Sequence, residues 1–103
     1  MRIVKPSTVK AFWDENPSAE KELEKWLATT DLAQWKNPAD VKSDFGARVD
    51  FVKVKSGETV AVFDIANNNW RLIAAIHYDF PRVFVLRILT HKEYDKNKWK
   101  DDL

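Results

Sequence analysis

The hydrophobic period of this chain changes once, at Arg48. Before that point apolar residues recur at the roughly 3.6-residue spacing of helices, and after it they recur nearer the 2-residue spacing of strands. Helices that all precede the strands do not make alternating βαβ units. The order predicts an α+β fold, with N-terminal helices packed on one face of an antiparallel β-sheet.

The helical half reads in pieces. Ile3 and Val4 suggest a short edge strand. Ser7 is the expected N-cap of a first helix whose Val9, Phe12 and Trp13 share a face. Asn16-Pro17-Ser18 breaks that helix, because a residue before proline avoids the α region. Ser18 is the expected cap of the next helix, whose buried stripe is Ala19, Leu23, Trp26 and Leu27. Residues 29–47 read as irregular, apart from a short helix over Pro38 to Phe45 stopped by Gly46. Trp35, Val41 and Phe45 would tie that segment to the core.

The strand half alternates Val- and Phe-rich runs with turn residues. Three or four strands are expected, over Val49 to Lys55 (which alternates imperfectly), Thr59 to Ala66, Trp70 to Tyr78 and Arg82 to Thr90, joined at Ser56-Gly57-Glu58, Asn67-Asn68-Asn69 and Asp79-Phe80-Pro81. A length of 103 residues suits a single domain, 1–103, around one core. Cysteine is absent, which excludes a disulfide framework, a thiol nucleophile and a Cys-ligated zinc. The longest apolar run, Leu72 to Ile76, is far short of the ~20 residues that span a bilayer. Met1 to Pro6 carries no signal-peptide core. A soluble, cytoplasmic protein that does not engage a membrane is therefore expected.

Net charge is only +1, but it is unevenly spread. Residues 1–46 hold seven Lys/Arg and eight Asp/Glu, whereas residues 47–100 hold ten and six. The basic half permits contact with nucleic acid, but on charge alone an ordinary solvated surface is the simpler explanation. Strand parity sharpens the question. If the last hairpin turns near Phe80, paired residue numbers sum to about 160. Arg71 then faces Leu89 and Ile73 faces Arg87, so Arg71 and Arg87 share a sheet face. Just beyond the last strand follow His91, Lys92, Glu93, Tyr94 and Asp95.

Two arginines, a histidine, a lysine and a tyrosine near one strand end suit RNA cleavage through the substrate's own 2′-hydroxyl. That reaction needs a base, an acid and cations for the phosphorane charge. No metal and no cofactor are implied, since His77 and His91 lack the spacing of a zinc site. The structural alternative is that Arg71 and Arg87 are salt-bridged to Asp50 or Asp64. His77 reads as structural. Lys53 and Lys55, on one strand face, are either solvated or contacts for backbone phosphate. Most of the five tryptophans read as core, with Trp99 either packed or exposed.

The run Asn69-Trp70-Arg71-Leu72-Ile73-Ala74-Ala75, with Tyr78 and then Val83 to Lys96, resembles the HigB family of toxins. Its most specific part is Thr90-His91-Lys92-Glu93-Tyr94-Asp95. The resemblance implies a RelE-like fold and a toxin of a type II toxin–antitoxin system. It implies a ribosome-dependent, metal-independent endoribonuclease that cuts translated mRNA in the decoding site. Arg71 would stabilise the pentavalent phosphate, His91 would act as general acid or base, and Tyr94 would stack on or position the nucleotide. Lys92 would hold backbone, and parity adds Arg87 as a further RNA contact. The implied partner is a helix-turn-helix, HigA-type antitoxin. The alternative is a non-catalytic module that binds RNA or protein.

Overall fold

A computed structural model describes residues 1–67 and 69–103. The chain opens with strand β1 (Arg2–Val4), then helices α1 (Pro6–Glu15) and α2 (Glu20–Leu32), with a 3-10 turn at Pro17–Ala19 between them. Helix α3 (Pro38–Phe45) leads into strands β2 (Val49–Lys53), β3 (Thr59–Ile65), β4 (Trp70–His77) and β5 (Arg82–Thr90). Two short helices close it, α4 (His91–Asp95) and α5 (Trp99–Asp102). Among the described residues, no helix is long and apolar enough to cross a membrane.

Both expected serine caps fail, and proline is the reason each time. Pro6 occupies the first turn of α1, where its fixed φ and missing N–H cost nothing, so the helix starts before Ser7. Lys5 precedes it in the left-handed region at φ 56°. Pro17 likewise starts the 3-10 turn, which takes in Ser18 and runs into α2 with Ala19 at the N-cap. Helix α2 extends to Leu32, into the segment read as irregular. Helix α3 forms as expected, with the Asn37 side chain accepting from the Asp40 N–H at 3.0 Å and Gly46 at φ 60° ending it.

The strand order is β1-β5-β4-β3-β2. Strands β2 to β5 form the expected antiparallel meander, but β1 pairs parallel to β5, which makes the sheet mixed. Ile3 and Val4 have no partner within hairpin range, so nothing local sets their direction. The expected turn between β3 and β4 includes Asn68, which lies outside the described residues.

One sheet face carries α1, α2 and α3. Val9, Leu23, Trp26, Val41 and Phe45 meet Phe63, Leu72 and Ala74 there. Trp26 packs edge-on to Phe63 at 5.4 Å, and Phe63 meets Phe45 at 4.8 Å. Trp26 Nε1 and Thr30 Oγ1 are buried without hydrogen-bond partners among the described residues. Burying an indole of ~200 Å² contributes ~5 kcal/mol, more than the ~1–3 kcal/mol an unsatisfied donor costs.

The other face is covered too, which the expected single helical layer did not include. Val54, Val60, Val62 and Ile73 pack there against Trp99 of α5. Trp99 is thereby settled as a packing residue, 4% exposed.

Candidate active site

The β4–β5 register builds the site. Trp70 pairs with Thr90, Arg71 with Leu89 and Ile73 with Arg87, as parity predicts. Arg71 is therefore the second residue of β4, beside the point where β5 passes into α4. On its other side, β3 places Asp64 directly opposite. The Arg71 Nε lies 3.0 Å from Asp64 Oδ1, so one of the two structural partners considered from sequence is real.

Helix α4 starts at His91 because Thr90 caps it. The Thr90 hydroxyl accepts from the Glu93 N–H, and the Glu93 carboxylate accepts from the Thr90 N–H, both at 3.1 Å. This Thr-x-x-Glu capping box is a sequence-level helix signal, set where Thr90 otherwise reads as the end of a strand. The His91 N–H also donates to the Asn69 carbonyl at 3.1 Å, which ties the helix start to the base of β4.

The cap brings His91 over Arg71, with His91 Nδ1 3.3 Å from a terminal guanidinium nitrogen. An arginine side chain only donates, so Nδ1 accepts. The proton of the neutral imidazole then lies on Nε2, which faces Asp95 Oδ2 at 3.3 Å. Asp95, one helical turn on, thus orients the imidazole that Arg71 holds from the other side. A second Arg71 donor reaches the Trp70 carbonyl at 3.3 Å.

Tyr94 completes the group. The Arg71 guanidinium lies 5.4 Å from its ring centroid, and Trp99 stacks on the ring at 5.2 Å and 19°. The Trp99 indole N–H donates to the Tyr94 carbonyl at 3.1 Å. Partial burial raises the Tyr94 pKa above the ordinary tyrosine value, and Asp50, Asp64 and Asp95 add to that while Arg71 opposes it. The hydroxyl is therefore protonated at neutral pH and stands as a donor. Tyr78 is also raised, by burial and by Asp40.

This has a consequence for stability. Each phenol is harder to ionise folded than unfolded, so its contribution is fully present below the ordinary tyrosine pKa of 10.0 and is lost as pH rises through the folded value. The urea midpoint is expected to fall above about pH 10, and by less in Tyr94→Phe than in the native chain. An identical alkaline decline in both proteins would show that Tyr94 is not held in this environment.

The structure gathers Arg71, His91 and Tyr94 and adds Asp64, Asp95 and Trp99 to them. Lys92 is exposed on α4 beside His91. Arg87 shares the sheet face of Arg71 but points elsewhere, its Nη1 donating to the Leu86 carbonyl at 2.7 Å. Lys53 is not brought to the cluster. Its register partner Thr59 places it with Val49 and Phe51, on the face bearing α1 to α3. Lys55 lies beyond β2, its N–H bonded to the Lys100 carbonyl at 3.0 Å. His77 is exposed, with its ring edge-on to Phe84 at 5.2 Å. Among the described residues, no three His, Asp or Glu side chains form a group that could hold a metal ion.

The sequence matches a family model over residues 19–97, described as HigB toxin, the RelE-like toxic component of a toxin–antitoxin system. Similar curated proteins include the mRNA interferase toxin HigB of Escherichia coli (strain K12), 24% identical over 95 residues. That alignment covers 92% of this chain and 88% of the relative. The mRNA interferases HigB of Escherichia coli O157:H7 and Shigella flexneri match to the same extent.

Proposed function

This chain belongs to the HigB family of RelE-like toxins, and from that premise we propose that it is an endoribonuclease that cuts translated mRNA on the ribosome. The names of its relatives support the reaction class. The observation that carries the reading is the convergence of Arg71, His91 and Tyr94 at the β5–α4 junction. His91 and Asp95 are more than half exposed, so the chain alone grips little of an RNA strand. Alignment of the strand then falls to the decoding site of the ribosome.

In this reaction the 2′-oxygen attacks the adjacent phosphorus and gives up its proton. The bond from phosphorus to the 5′-oxygen breaks, and that oxygen takes a proton. The products carry a 2′,3′-cyclic phosphate and a 5′-hydroxyl. Arg71 meets the phosphorane charge with its guanidinium fork, so the proposed step uses neither metal ion nor cofactor. His91 moves the proton. The Tyr94 ring is already stacked on Trp99, which favours a role for its protonated hydroxyl, donating to a phosphoryl or leaving oxygen, over stacking on a base. Lys92 and Arg87 hold neighbouring backbone, while Lys53 and Lys55 reach only phosphates farther along the strand.

Residues 1–103 act as one toxin domain in the cytoplasm, neutralised by a HigA-type helix-turn-helix antitoxin. Induced expression in a bacterium, with RNA 5′ ends mapped, tests the reading. Growth arrest with new 5′-hydroxyl ends inside translated codons is expected. Cleavage of ribosome-bound mRNA by purified protein is expected to persist when EDTA is added after cleavage-competent complexes are cross-linked. Normal growth without new ends, from folded and well-expressed protein, would leave only the binding module.

A further inference from the structure

A depression of about 240 Å³ lies beside the catalytic cluster, lined by Arg87, Leu89, Glu93, Lys96, Lys98, Trp99 and Asp102. We propose that it is a subsite for a phosphodiester of the RNA backbone. The proposal rests on the RNA-cleaving reading and extends it to residues that reading does not use, Lys96 and Lys98.

The backbone brings these cations together. Pairing shifts by one residue between Ile73–Arg87 and Ala74–Val85, which leaves Leu86 as the extra residue of a β-bulge. Bulges re-aim side chains. Here the Leu86 carbonyl holds the Arg87 guanidinium at 2.7 Å. Between α4 and α5 the chain reverses at Asn97, in the left-handed region at φ 61°. Asparagine tolerates that conformation better than most residues, and its N–H closes the turn on the Tyr94 carbonyl at 3.1 Å. Lys96 and Lys98 thus flank one tight reversal.

The charges are available for a ligand. Among the described residues the ion pairs are Lys25–Glu22, Arg71–Asp64 and His91–Asp95, and none of these uses Arg87, Lys96 or Lys98. Two carboxylates share the depression, but one Glu93 oxygen already accepts the Thr90 N–H of the capping box. An arginine fork with two ammonium groups suits a phosphodiester. The volume falls below the ~300–1,000 Å³ of pockets that enclose small molecules, which favours a backbone segment passing through. Trp99 joins the depression to the stack on Tyr94, so a strand cut at Arg71 and His91 continues across it.

The test uses a fluorescent 2′-O-methyl oligoribonucleotide, which lacks the attacking hydroxyl, and in a second arm vacant ribosomes. Binding is measured against salt for the native chain, for Arg87→Gln/Lys96→Gln/Lys98→Gln, and for the remote exposed pair Lys10→Gln/Lys21→Gln. Removing three phosphate contacts should make the slope of log K on log salt less steep by about 2. The remote pair should leave it unchanged. A change on the oligonucleotide assigns the subsite to the substrate strand, and a change on ribosomes alone assigns it to ribosomal RNA. An unchanged slope in both arms overturns the subsite, and if the native protein still cuts mRNA only the subsite falls. A native chain that neither binds nor cuts overturns the RNA reading and the subsite together.

Discussion

Arg71→Ala is expected to slow mRNA cleavage by about 10³-fold, the scale seen when a charge-stabilising group is removed from an acyl- or phosphoryl-transfer site. Arg71→Lys should recover little of it, because an ammonium cannot bridge Asp64, His91 and a phosphoryl oxygen as a planar fork can. The stability cost should be modest. Asp64 is about one-third exposed and rehydrates when its partner is lost, so about 1–2 kcal/mol is expected. Single-turnover cleavage on programmed ribosomes, with thermal unfolding of the same samples, separates the two effects. A folded Arg71→Ala that cuts at the native rate would make Arg71 a structural clasp between β3, β4 and α4. The Asp64 pair gives that alternative its force, since the carboxylate that orients the guanidinium also competes with phosphate for it.

The strand half of this fold was legible because a single turn position fixes parity for a whole hairpin. Placing the turn near Phe80 was enough to pair Arg71 with Leu89 and Ile73 with Arg87. The same logic loses its accuracy past Ile73, where the bulge at Leu86 shifts every later pair by one. The second covered face is also written in the strand pattern. Val49 to Lys55 alternates imperfectly because Val49 and Phe51 meet the helices while Val52 and Val54 meet the Trp99 side. Strands apolar on both faces are strands buried on both faces. The missing cover was α5, whose four residues are too few to show a helical period. The failed caps at Ser7 and Ser18 share a cause, a preference for serine that a neighbouring proline overrides. At the site, residue types and strand parity drew Arg71, Arg87, His91, Lys92 and Tyr94 toward one strand end, and the family resemblance singled out Arg71, His91 and Tyr94 among them. Their mutual geometry depends on Thr90, Asp95 and Trp99, whose effects are tertiary or rest on the capping box.

His91→Ala is expected to lower cleavage by about 10²–10⁴-fold, the range for losing a positioned proton carrier. The informative comparison lies with the residues that hold the imidazole rather than with His91 alone. Asp95→Asn keeps the side-chain shape, yet its amide can turn either a donor or an acceptor toward Nε2, so the ring orientation is no longer specified. Thr90→Ala removes the hydroxyl that accepts from Glu93 and should cost about 1 kcal/mol of local helix stability. That loss falls on α4, which is only five residues long and cannot sustain itself without its cap. Both substitutions should reduce cleavage by less than His91→Ala. Once the imidazole is gone, Asp95 has nothing left to orient, so His91→Ala/Asp95→Asn is expected to match His91→Ala within error. His91→Ala/Thr90→Ala should fall further, because α4 also carries Tyr94. A fully additive loss in His91→Ala/Asp95→Asn would mean that Asp95 acts on the substrate directly, and that the proton passes through another group.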